Sequence, residues 1–79
     1  MNWVDELAGA LGTEPLTDAE VDRLLQVARD VAHSVERKVT PLAAFLLGMS
    51  VHQRMLDQHG RAEAVDAAIA DLRATIPAT

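Results

Sequence analysis

Residues 42–49 read Leu-Ala-Ala-Phe-Leu-Leu-Gly-Met, two turns of helix without one polar side chain. They follow Thr40-Pro41, where Thr suits an N-cap and Pro the first helical position, its missing N–H being unneeded there. A helix that is apolar on every side must be covered on several sides. With 79 residues there is material for one domain and one core, which removes only roughly 60–65% of the unfolded surface from water. The run is therefore expected either at the centre of the domain or in an oligomer interface.

The flanking segments also read as helices. Trp3, Val4, Leu7, Ala8 and Leu11 recur at helical spacing, with Asn2 as N-cap and Gly12 as stop. Thr13 to Leu16 contains Pro15 and reads as a connection. Thr17-Asp18-Ala19-Glu20 has the form of a capping box, in which the Thr17 hydroxyl accepts from the Glu20 N–H and the Glu20 carboxylate reaches back. Leu16 and Val21 occupy the hydrophobic-staple positions around it. From there Val21, Leu24, Leu25, Ala28, Val31, Ala32 and Val35 form one stripe, and the helix is expected to end near Lys38. The third helix regains polarity from Ser50 to His59, with Gly60 as a C′ residue. A fourth spans about Arg61 to Ile76, with Val65, Ala68, Ile69, Leu72 and Ile76 on one side, and Pro77 ends it. No alternating strand pattern, internal repeat or low-complexity tract occurs. The expected fold is a single all-α domain over 1–79. It is a small four-helix bundle with a short first helix, a long second, an apolar third and an amphipathic fourth.

Charge and composition narrow the function. Seven basic against 12 acidic residues give a net −5, which disfavours a nucleic-acid binder, whose affinity rests on Lys and Arg neutralising phosphates. Asp5, Glu6 and Glu14 have no basic partner in the first 17 residues, and the remainder is nearly balanced. The lack of cysteine removes disulfides, thiolate metal sites and cysteine nucleophiles. No basic leader opens the chain and no apolar run approaches about 18 residues, so a cytoplasmic protein without membrane association is expected. One Phe, one Trp and no Tyr leave the core to Leu, Val and Ala. Such a small aliphatic core often gains stability by packing against a partner or a copy of itself.

No catalytic constellation is visible. Ser34 and Ser50 fall inside helices, and no GxSxG elbow or Gly-rich phosphate loop occurs. The carboxylate pairs Asp5-Glu6 and Asp18 with Asp22 lie on first turns or outer faces, where they serve the helix dipole and solubility. His52 and His59 are seven residues apart, ~10.5 Å along a helix, too far to share a metal. Neither a metal nor a cofactor is expected.

Two candidate sites stand out. The joint of the second and third helices gathers Arg29, His33, Arg37, Lys38 and Thr40, where helix N–H groups and basic side chains suit a phosphate or carboxylate. The same residues are also what helix termini ordinarily carry, since cations favour a last turn and Thr-Pro is a common start. The second candidate is the apolar third helix itself. Leu42, Phe45, Leu46, Leu47 and Met49 form a partner surface if three small helices leave part of it uncovered.

Three stretches resemble a known family: 2–12 (NWVDELAGALG), 27–38 (VARDVAHSVERK) and 40–48 (TPLAAFLLG). They look like a small actinobacterial domain of unknown function found alone or attached to molybdenum cofactor guanylyltransferases. The most specific part is ARDVAH followed by ER and then PL-x-x-FL-x-G. The resemblance implies a role beside molybdopterin guanine dinucleotide synthesis and carries over no catalytic residue. It also raises interest in Arg29, Asp30, His33, Glu36 and Arg37, whose identities helical periodicity does not demand. The expected function is thus a non-catalytic accessory or protein-interaction module, homo-oligomeric or bound to a partner in molybdenum cofactor maturation. The alternative is a small-molecule binder holding a phosphate-bearing pterin or nucleotide at the joint.

Overall fold

The computed structural model describes residues 2–77, and among these there are four α-helices and no strand. The first helix, α1, is Trp3–Ala10. Asn2 caps it, its Oδ1 accepting from the Asp5 N–H at 3.0 Å. Gly12 takes a positive φ of 71°, which glycine adopts without a Cβ penalty, and the chain turns there as expected.

Helix α2, Asp18–Ser34, begins on the full capping box. The Glu20 N–H donates to Thr17 Oγ1 at 3.1 Å, and the Thr17 N–H donates to Glu20 Oε1 at 2.8 Å. Its end falls short of Lys38. The N–H groups of Val35 and Glu36 both donate to the Val31 carbonyl, Val35 leaves helical geometry and Glu36 is extended. A 3-10 turn over Arg37–Val39 then reverses the chain, so that the apolar run returns along α2.

Helix α3, Thr40–Leu56, starts at Thr40 itself, preceded by Val39, and Thr40 provides no side-chain cap. The 3-10 turn replaces that cap, the Thr40 N–H donating to the Arg37 carbonyl. At the other end α3 stops at Leu56, before the expected His59. The left-handed residue is Gln58, at φ 73°, whereas Gly60 has an ordinary φ of −67° and precedes α4 as its N-cap. Helix α4 is Arg61–Thr75, with Pro77 beyond it.

The core is formed by α2, α3 and α4. Val27, Leu47, Val65, Ala68 and Ile69 are buried together, with Leu24, Val51 and Leu72 packed against them. The tightest pairing is α3 with α4, where Ala64 and Ala68 are almost fully buried and allow close approach of the backbones. Ion pairs reveal the direction of the helices. Glu20 meets Arg61, Arg23 meets Asp66 and Asp30 meets Arg73, a nearly constant sequence offset that makes α2 and α4 run parallel. With α3 antiparallel to both, the three form an up-down-up array. Helix α1 stands outside it: no Cα of α1 lies within 8 Å of a Cα in another helix.

Candidate functional site

The three-helix array leaves a long apolar groove of about 610 Å³. Its walls are Leu24, Val27 and Ala28 of α2 and a strip of α3 from Thr40 through Ala44, Gly48 and Val51 to Met55. Val65 and Leu72 of α4 also line it, and the connection Gly12–Leu16 contributes one rim. The α3 strip covers fifteen steps of helix, about 22 Å. Small residues at 44 and 48 keep the groove open, and a Cβ built on Gly48 meets nothing within 4 Å.

Polar groups are confined to the margins. At one end Arg61 Nε and Nη2 donate to Glu20 Oε2 and Oε1, both at 2.8 Å, and Nη2 also donates to the Pro15 carbonyl at 3.0 Å. This charge-assisted fork ties the capping box of α2, the start of α4 and the connection from α1 into one unit. The Arg61 guanidinium holds the Glu20 carboxyl below its usual range; partial burial opposes that and the Thr17 N–H reinforces it. His52 lines the groove further along. Thr40 Oγ1 lies at its other end, buried and without a hydrogen-bond partner among the described residues.

The five residues of the helix joint are not gathered around one cavity. Thr40 faces the groove, whereas Arg29, His33, Arg37 and Lys38 are exposed and line neither the groove nor a smaller apolar hollow beside Leu42 and Leu46. Lys38 pairs with Glu36 at 3.3 Å. Of the N–H groups at the start of α3, those of Val39 and Thr40 donate to the carbonyls of Glu36 and Arg37, and Pro41 has none. Most other cations act as struts: Arg23 and Arg73 join α2 to α4, and Arg54 joins α3 to Asp71 of α4.

The apolar residues of α3 divide between its outer face and the core. Leu42, Phe45, Leu46 and Met49 are 63, 70, 64 and 55% exposed. Leu47 departs from that set: it is 7% exposed and sits in the core, because it lies on the side of α3 that meets α4. Helix α1 is similarly bare, with Trp3 and Leu11 each 68% exposed. The groove and the Glu20–Arg61 fork are not apparent from sequence, since partners 41 residues apart leave no local pattern. The one available signal is α1, whose apolar stripe implies a counterpart that must be apolar too.

Among the described residues no three His, Asp or Glu side chains cluster as a metal site, and no helix is long and apolar enough to cross a membrane. His59 pairs with Glu63 in the connection and start of α4, apart from His52. Fold and surface together define a small helical module with an uncovered apolar groove and helix face. Residues 1–79 match the family described as Domain of unknown function (DUF6457), and the chain belongs to that family. No curated protein and no solved structure matches it.

Proposed function

We propose that this chain is a non-catalytic accessory module that works by self-association and acts beside molybdenum cofactor maturation, the latter part supported by the resemblance of residues 2–12, 27–38 and 40–48 to guanylyltransferase-linked domains. One observation supports the self-association: the chain exposes more surface than a folded monomer of its size ordinarily does. Its accessible area is 5940 Å², whereas a folded monomer of 8.5 kDa is expected to expose about 4,650 Å². The surplus of roughly 1,300 Å² exceeds the roughly 800 Å² per partner that a standard interface covers. Exposed apolar side chains run along α3, where Phe45 and Met49 are within a helical turn of Gly48 and His52 of the groove. Four cations of α2, α3 and α4, Arg23, Arg54, Arg61 and Arg73, are paired with carboxylates within the chain and so do not draw a partner by charge.

Sedimentation equilibrium tests the reading. A dimer or larger species at micromolar concentration, dispersed by Leu46→Glu without loss of helicity, is the expected result. A monomer across the whole range would refute it. The link to cofactor maturation is tested by titrating the purified dimer with a purified molybdopterin guanylyltransferase, for which saturable binding weakened by Phe45→Glu is expected. The phosphate-ligand reading has less support, because the exposed Arg29, His33, Arg37 and Lys38 line no common cavity and the Val39 and Thr40 N–H groups are taken by Glu36 and Arg37.

A further inference from the structure

The groove has the form of a four-helix bundle lacking one helix. Helices α2 and α3 line it, α4 adds Val65 and Leu72, and the lining runs along about 22 Å of α3 with no fourth helix against it. Helix α1 has the face such a space requires. Val4, Leu7 and Leu11 stand at i, i+3 and i+7, with Trp3 beside them, which is the anchor spacing of a helix laid in an apolar groove. Asp5 and Glu6 lie off that stripe.

The chain's own α1 is held away from the space. Both the N–H and Oγ1 of Thr13 donate to the Ala8 carbonyl, at 2.9 and 3.3 Å, which fixes the tight turn at Gly12. Arg61 then grips Pro15, so Gly12, Thr13, Glu14 and Leu16 lie along the groove as its rim. A connection pinned at both ends directs α1 outward with Trp3 and Leu11 bare.

We propose that the groove of each chain receives α1 of a second copy, so that two chains complete one another's bundles by reciprocal exchange. This rests on the self-association reading and specifies its geometry. The contact is two-fold by construction, each chain giving an arm and taking one. Trp3 becomes the main anchor, and Phe45 and Met49, next to the groove on α3, extend the contact beyond the arm.

Trp3 is the only tryptophan and the chain has no cysteine, so both can be used as reporters on the full chain. In the dimer, Trp3 emission is expected to be blue-shifted and shielded from acrylamide. Dilution through the dissociation range should shift it to the red in step with the loss of dimer by sedimentation. Gly48→Met fills the groove at a position where an added side chain meets open space, and should weaken dimerisation at least tenfold while raising helicity. Mixing separately purified Leu7→Cys and Ala44→Cys chains under a mild oxidant should give the mixed disulfide dimer in preference to either homodimer. A wild-type dimer with freely quenched Trp3 and no mixed disulfide would overturn the exchange while leaving self-association standing. A monomer at all concentrations would overturn both. A monomer whose Trp3 is shielded would show the arm folding into its own groove, which also overturns the exchange.

Discussion

Arg61 and Glu20 form a two-pronged ion pair across the end of the groove, with both N–O distances at 2.8 Å. It is the least exposed ion pair among the described residues, the side chains being 28 and 12% exposed. Removing the guanidinium would strand a half-buried carboxylate and release the Pro15 carbonyl as well. Arg61→Ala is expected to cost about 1–3 kcal/mol, below the range for fully buried pairs because some solvent reaches the site. Arg61→Lys keeps the charge and loses the fork, so it should fall between the two. Urea unfolding midpoints measure the order.

The same pair sets an acid limb. Glu20 has its pKa lowered in the folded chain, chiefly by Arg61, from an ordinary value of 4.5. Its contribution is therefore complete above that ordinary value, and it is lost as pH falls through the lower, folded value. Wild-type stability should decline on acidification below about pH 4.5 more steeply than that of Glu20→Gln. Parallel slopes for the two proteins between pH 6 and pH 3 would exclude Glu20 as a source of the limb.

Local signals survive into the fold where a few neighbouring residues decide the outcome. Asn2, the Thr17–Glu20 box and Gly12 act as their types suggest, because each satisfies a backbone group within five residues of itself. The end of α2 was hidden because Val35 to Lys38 keeps a helical pattern, and only the need to return α3 along α2 breaks it there. Leu47 cannot be told from Leu46 by composition, and packing against α4 separates them. The groove belongs to the same class, since its walls come from three helices and its key ion pair spans 41 residues. Even the groove's small residues, Ala44 and Gly48, read in sequence only as part of an apolar run.

Leu46 and Leu47 provide a direct contrast. Leu47→Ala removes buried methyl groups from the centre of the core and is expected to cost about 2–4 kcal/mol. Leu46→Ala changes a side chain that is 64% exposed, and within one chain it should move stability by no more than about 0.5 kcal/mol. If the outer face is an interface, the Leu46 variant will instead show a concentration-dependent loss. Its melting temperature should match wild type when dilute and fall below it at high concentration, where native-state association stabilises wild type.

Gln58 and Gly60 exchange the roles their residue types suggest. Gln58 occupies the left-handed region at φ 73°, where an L side chain is strained, while Gly60 sits at φ −67° as the N-cap of α4. Gln58→Gly should therefore stabilise the domain by up to about 1 kcal/mol, relief of strain outweighing the extra freedom of the unfolded chain. Gly60→Asp should also help, by roughly 0.5 kcal/mol, because an aspartate there can accept from the free N–H groups of the first turn of α4 and favours the positive end of its dipole. Gly60→Ala offers no such acceptor and is expected to be mildly destabilising. Chemical denaturation of the three variants gives the ranking. A loss of stability in Gln58→Gly comparable to that of a glycine placed inside a helix would mean that residue 58 does not adopt the left-handed turn in solution.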